Sequence, residues 1–320
     1  MATGTKVLPP PGATRAAATP AARGALRRRP RRTWSGLLWL APALVGLGLF
    51  VYYPLVLNFV YSVQRTNIFT GEQQFVGLAN YTKLAADPVF YRALLNNGLY
   101  AVISIVFQVF GALLLAAVIE NLRSIRLRAI LRSVYFLPSV ISLTVTGLLF
   151  SFIYQPRAGL LNAMLGGLGL DGLQHAWLGD PGTAMLGIIL MSQWQGFGYS
   201  ALLFAVAIQR VPRELFEAMS LDGAGPVRQV FALTIPMVRE MTGLMMIVTM
   251  SGAFQVFNEV MVTTAGGPNN STQVLGTWLY QSGFIKNDFG YAAAIATVIF
   301  VITLALALVQ IRYTSRRRVS

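Results

Sequence analysis

At 320 residues the chain is 55% hydrophobic and 11% charged, with a mean hydropathy of +0.60. Soluble domains carry roughly 25% charged residues, so a water-soluble globular domain is excluded. The absence of cysteine removes disulfides and thiolate metal sites, and a single histidine, His175, removes multi-histidine ones. A net charge of +14 would suit nucleic acid, but the placement of the basic residues points to a membrane instead.

Charge is missing from six stretches: 33–64, 93–119, 133–156, 181–209, 241–258 and 289–311. A membrane-crossing helix needs about 20 predominantly apolar residues. Five stretches clear that length, and the fifth in order does so by running on through Glu259 to Thr264. The expectation is an all-α membrane protein with six transmembrane helices, each satisfying its own backbone because lipid offers no partners. Twenty basic residues fall in the N-terminal tail, the 120–132 and 210–239 loops and the C-terminal tail. The other connections share five, Arg65, Lys83, Arg92, Arg157 and Lys286. That asymmetry places both termini and the 210–239 loop in the cytoplasm.

In chain order, residues 1–32 are rich in Ala, Pro and Arg and are expected to be a disordered basic cytoplasmic tail. Its Arg27–Arg32 run reads as a positive flank to helix one, rather than a nucleic-acid patch or an export signal. The membrane domain is expected over 33–312 and a second basic tail over 313–320. In the 65–92 connection Leu84, Val89, Phe90 and Leu94 suggest an interfacial helix leading into helix two. Helix two carries Gln108, for which packing between helices and contact with a ligand both stand. Helix three, about 130–154, carries Pro138 and should kink there, with neighbours satisfying the freed backbone. The glycine-rich 155–183 connection should be flexible, with His175 on its surface.

Helix four holds Ser192-Gln193-Trp194-Gln195-Gly196-Phe197-Gly198-Tyr199 at mid-span. Amides, hydroxyls and aromatic faces suit a sugar, whereas small residues at this depth equally suit tight helix packing. The polar loop 210–239 follows. Pro212 should open a short amphipathic helix containing Glu214, Phe216 and Glu217; Gly223, Gly225 and Pro226 should stop it and start another, and Pro236 should open helix five. Helix five is expected over about 238–263, with Phe254, Phe257, Asn258 and Met261 on one face. Glu259, the sole acid within a span, has three candidate roles: binding sugar hydroxyls, favouring a cationic ligand, or pairing with a partner subunit. In helix six Gly290 and Ala292–Ala294 offer small residues for close contact.

The spacing of Glu217-Ala218, Asp222-Gly223-Ala224-Gly225-Pro226 and Ile235-Pro236 resembles the EAA loop of bacterial ABC-importer permeases, Met219 departing mildly from that pattern. The stretches at 75–81 and 87–90, helix four and the start of helix five resemble MalF-like permeases of the carbohydrate-uptake-1 family. The resemblance covers most of residues 36–312 and implies a MetI-like fold in the bacterial cytoplasmic membrane. It implies ATPase-coupling residues Glu217, Ala218, Asp222, Gly223, Ala224 and Pro236. It further implies sugar-contacting positions Ser192, Gln195, Gly196, Tyr199, Phe254, Phe257 and Asn258, to which Glu259 is added. The implied partners are a second homologous permease, two ATP-binding cassette subunits and an external solute-binding protein. No cofactor is expected on this chain, which lacks a Walker A sequence; ATP and Mg belong to the ATPase subunits. Glycerol-phosphate or a related polyol is the alternative cargo, and an ion-driven secondary carrier the rival architecture.

Overall fold

The computed structural model describes residues 34–66, 71–122 and 124–316; the basic tail expected over 1–32, Arg123 and residues 317–320 lie outside the described residues. The described residues up to Tyr52 form one compact unit and the described residues from Tyr53 a second. Within the first, α1 (Trp34–Leu47) runs into a π-wound turn, Gly48–Tyr52.

The second unit opens with α2 (Tyr53–Ser62), whose Asn58 amide donates to the Ala293 carbonyl at 3.3 Å and the Thr297 hydroxyl at 3.1 Å. A two-stranded antiparallel ribbon follows, β1 (Gln64–Thr66) and β2 (Gln73–Phe75), a small departure from the all-α expectation. Next come α3 (Ala79–Ala85) and α4 (Pro88–Ser104). The start of α4 follows from local chemistry. The Asp87 carboxylate accepts from the Val89 N–H at 2.8 Å, and Pro88 fills the first helical position, where no N–H is needed. A π-wound stretch, Ile105–Gly111, leads into α5 (Ala112–Glu120).

The third predicted helix is broken rather than kinked. It divides into α6 (Ile125–Val140) and α7 (Leu143–Ile153), which meet at 93°. Pro138 lies just ahead of the break, and the exposed backbone is taken up by its neighbour: the Gln195 amide donates to the Ile141 carbonyl at 2.7 Å. The connection expected to be flexible contains α8 (Leu160–Gly167). It is organised by Asn162, whose amide bonds the Pro156 and His175 carbonyls and whose oxygen accepts from the Trp177 indole at 2.7 Å. His175 is exposed.

The long α9 (Ala184–Ile208) packs against α4–α7 and α13. Then come α10 (Arg213–Leu221), α11 (Pro226–Gln229), a π-wound turn, Val230–Thr234, and α12 (Ile235–Met237). A 70° bend at Val238 precedes α13 (Arg239–Phe254). Pro236 therefore ends the hairpin segment rather than opening the next helix, and Pro212 caps α10 from the residue before it. The predicted fifth helix also breaks, between Phe254 and α14 (Asn258–Thr263). Asn97 stabilises this break by donating to the Ala253 carbonyl at 2.6 Å while accepting from the Leu275 N–H at 2.8 Å. The chain closes with α15 (Leu275–Tyr280) and α16 (Phe289–Arg316), which continues past the expected end at 311 because no glycine or proline interrupts it.

Among the described residues three helices are long and apolar enough to cross a membrane: Trp39–Ser62, Pro88–Glu120 and Phe289–Arg312. The two bent pairs, α6 with α7 and the 226–237 segment with α13, reach that standard if each is one span. The expected sixth, α9, is long enough but falls short on apolarity because of its polar centre.

Candidate functional site

Two apolar clusters divide the second unit. One gathers Tyr100 and Ala101 of α4, Met185, Ile188 and Met191 of α9 and Phe254, with Trp278, Tyr291 and Ile295. The other gathers Val109, Leu113, Ala116, Ala201, Phe204, Ile208, Val230, Val238 and Met245. Between them the same three helices turn polar at the same level: Ser104 and Gln108 beside α4, Ser192–Ser200 on α9, Thr249 on α13. A cavity of about 290 Å³ opens in this layer.

The layer is cross-linked. Gln108 donates to the Gln193 amide oxygen at 2.9 Å, and Gln193 donates to the Ser104 hydroxyl at 3.0 Å. The Tyr100 and Ser192 hydroxyls are hydrogen-bonded, and Tyr100 also reaches Glu259 Oε1 at 3.5 Å. Buried polar side chains in a dry interior need such partners, and here they come from neighbouring helices. Gln108 bonds across the helix interface, as the packing reading expects, and it also lines the cavity. The glycines of α9 permit close approach without interrupting the helix. A Cβ at Gly198 would collide with the Tyr135 carbonyl of α6, and one at Gly196 would press on the Gln108 amide at 2.9 Å.

Of the residues singled out by sequence, Ser192, Gln195, Gly196, Tyr199 and Glu259 line this one cavity. Phe254, Phe257 and Asn258 do not. Phe254 is buried in the first apolar cluster, Phe257 packs edge-on against Tyr280 with ring centroids 5.6 Å apart, and Asn258 is exposed at the start of α14. The shared face expected for Phe254, Phe257, Asn258 and Met261 is lost because the helix breaks after Phe254, where Phe257 adopts φ −148° and ψ −57°. Sequence reasoning passed over Tyr100, Ser104, Ser200 and Thr249. The signal was present in Tyr100, Ser104 and Gln108, spaced every four residues on one helical face.

At the far end of the second cluster lies a helical hairpin, α10 followed by the 226–237 segment. Gly223 adopts φ +76°, a left-handed conformation that glycine takes without penalty. The Ala224 N–H bonds the Met219 carbonyl at 2.9 Å and the Gly223 N–H bonds Ser220 at 3.1 Å, the paired bonds of a Schellman ending. Gln229 reaches back to the Ser220 hydroxyl at 2.8 Å and the Ala224 carbonyl at 3.2 Å, tying the second arm to the first. Phe216 packs on the second cluster and Ala224 is buried. Glu217, Ala218, Asp222 and Pro236 are exposed, as are Leu221, Val227 and Phe231 at the tip.

A second cavity, about 730 Å³, separates Glu217 and Arg213 from the ends of α5 and α6. Its floor is the buried Glu120 carboxylate, paired with Arg132 and, at 3.8 Å, with Arg128. Elsewhere in the second unit Asp87 joins three elements, accepting from the Trp278 indole at 2.8 Å and the Tyr291 hydroxyl at 2.5 Å as well as from Val89. Burial alone would raise its carboxyl, but these donors hold it below the ordinary 3.8. No group of three or more His, Asp or Glu side chains converges as for a metal among the described residues.

Residues 108–320 match the family described as binding-protein-dependent transport system inner membrane component. The chain is 53% identical over 276 residues to the probable ABC transporter permease protein YurN of Bacillus subtilis, covering 86% of this chain and 94% of that one. It is 32% identical to the arabinooligosaccharides permease AraP of the same organism (86% and 87% covered). To the sn-glycerol-3-phosphate permease UgpA of Pectobacterium atrosepticum it is 31% identical (90% and 96% covered). In fold it is similar to a chain of a bacterial ABC transporter that imports alginate, with TM-score 0.78, 22% identity and coverage of 89% and 96%. The chain belongs to the family of binding-protein-dependent transport system inner membrane components.

Proposed function

We propose that this chain is one of two permease subunits of an ATP-driven, binding-protein-dependent sugar importer in a bacterial cytoplasmic membrane. The observation that carries the reading is a cavity lined by amides and hydroxyls among apolar side chains, lying between two apolar clusters, with an exposed hairpin between the two helices that wall it. The hairpin is the coupling element, with Glu217, Ala218, Asp222, Gly223, Ala224 and Pro236 presented to an ATPase subunit and the apolar tip residues seated in its cleft. Six spans cross the bilayer with both termini in the cytoplasm. The sixth is α9, whose polar centre is sheltered by protein rather than lipid.

ATP binding closes the ATPase dimer and draws the two hairpins together, and the helices move as rigid bodies to open the cavity outward. Sugar delivered by the external binding protein enters, and hydrolysis turns the cavity inward. The chain itself hydrolyses nothing, and ATP and Mg stay on the partner subunits. Ser192, Gln195, Gly196, Tyr199 and Glu259 face the sugar from this half of the pathway, with Phe254, Phe257 and Asn258 supporting the wall behind them.

A sugar suits the cavity because its lining mixes amides and hydroxyls with the exposed ring of Tyr199. Glycerol-phosphate is the second reading, favoured by the relation to UgpA; the lining has no Lys or Arg to meet a phosphate. A secondary carrier usually places several ionisable residues in the membrane, and here one acid faces the cavity. The test is ATPase activity of the reconstituted complex with candidate binding proteins and sugars, for wild type, Glu217→Ala and Gly223→Pro. Stimulation by one sugar-loaded binding protein, lost in both variants, is expected. Uptake driven by an ion gradient through this chain alone would overturn the reading.

A further inference from the structure

Beside the Ser200 and Thr249 hydroxyls, which can donate or accept, the cavity is lined by two amides whose donors are spent. Gln195 spends its Nε2 on the Ile141 carbonyl, and Gln108 spends its Nε2 on Gln193. Among the described residues neither amide oxygen accepts a hydrogen bond, and both side chains line the cavity. Glu259 adds a carboxylate, which has about four acceptor sites. Its carboxylate lies beside the backbone N–H groups of Phe257 and Glu259, and its one side-chain partner is Tyr100 at 3.5 Å. No Lys, Arg or His lines the cavity to balance it, and Glu259 enters no ion pair among the described residues.

A sugar hydroxyl donates once and accepts as well, and is served by neutral amides alone. An ammonium group carries three donors and no acceptor, which is the complement of this wall. Tyr199, half exposed on the same cavity, offers a ring face that attracts a cation. We propose that Glu259 is a specificity-determining residue that selects saccharides bearing a protonated amine, its carboxylate pairing with the ammonium while Gln195 and Gln108 accept the remaining donors. Neutral hydroxyls are left to Ser192, Ser200 and Thr249, and anionic sugars are repelled. This inference rests on the importer reading above.

The test uses the whole complex, purified through a tag on this chain with its own second permease, ATPase and binding protein, and reconstituted in liposomes. ATP-driven uptake is measured for glucosamine and the deacetylated chitobiose dimer, for their N-acetyl forms, and for glucose and cellobiose. Wild type is expected to favour the amines by about tenfold or more, the range of a charge-assisted hydrogen bond. Glu259→Gln should erase that preference, so that amine and neutral forms are taken up at equal rates by a complex of unchanged subunit composition, and Glu259→Asp should retain part of it. Equal uptake of amine and neutral forms by wild type, or a preference that survives Glu259→Gln, overturns the inference and leaves the importer standing. Loss of the second permease from the Glu259→Gln complex assigns the carboxylate to subunit pairing and also overturns it. A complex with no ATP-driven uptake of any saccharide overturns both.

Discussion

Gly198 of α9 lies against the Tyr135 carbonyl of α6 so closely that no Cβ fits between them. This contact sets the two helices at the distance where Gln195 reaches the broken backbone at Ile141 and the Tyr199 N–H reaches the Ser139 hydroxyl at 3.0 Å. Gly198→Ala is expected to cost about 1–3 kcal/mol through overpacking and to lower the melting temperature of the purified protein. Gly167→Ala is the control, since nothing lies within 4 Å of its added Cβ. Identical melting of Gly198→Ala and wild type would show that the helices do not depend on this approach.

At Gly223 the cost is conformational rather than steric, because φ is +76° and nothing lies within 4 Å. Gly223→Ala should cost about 1–2 kcal/mol at the hairpin turn, and Gly223→Asn less, since asparagine tolerates the left-handed region. The readout is the fraction of ATPase activity that responds to the loaded binding protein. Equal coupling in the Ala and Asn variants would remove backbone conformation as the reason for glycine.

The Ser104–Gln193–Gln108 chain predicts strong non-additivity. Gln193→Leu strands a buried hydroxyl and an amide, at about 1–3 kcal/mol, and Gln108→Leu added to it should cost less than Gln108→Leu alone. A double-mutant cycle on unfolding in detergent measures this; additive values would mean the amides bond water rather than each other.

Asp87 predicts an acid limit. Its folded carboxyl titrates below 3.8, so its contribution is complete above that pH and is withdrawn as pH falls through the lower folded value. Trp278 emission should therefore hold steady through neutral pH and change only below 3.8. Asp87→Asn should abolish that acid step, and an Asp87→Asn protein that keeps it would place the titrating group elsewhere.

Local chemistry was readable where it acts over a few residues. Gly223 marks a helix end and the polar run from Ser192 to Tyr199 the level of the cavity, whereas the helix start at Asp87-Pro88 falls inside the interfacial helix expected from Leu84 to Leu94. The breaks in helices three and five were not readable, because their partners are distant in sequence. Gln255-Val256-Phe257 contains no glycine or proline. The chain parts there because Asn97 takes the Ala253 carbonyl and because Gly276 leaves room for the Val256 carbonyl, in which a Cβ would sit 2.9 Å away. For the same reason Phe257 and Asn258 looked like neighbours of the cavity, while Tyr100, one turn before Ser104, did not.

The polar centre of α9 also bears on how the chain enters a bilayer in the first place. A segment carrying Ser192, Gln193, Gln195 and Ser200 partitions poorly from the ribosome's exit site into lipid on its own. The Gln193 amide finds its partners on α4 and the turn after it, some ninety residues earlier in the chain, and the Gln195 amide finds its own at Ile141. As the sixth span proposed above, α9 would enter as the companion of a helix already in place, and a ribosome-bound chain severed from that companion would hesitate at the translocation pore.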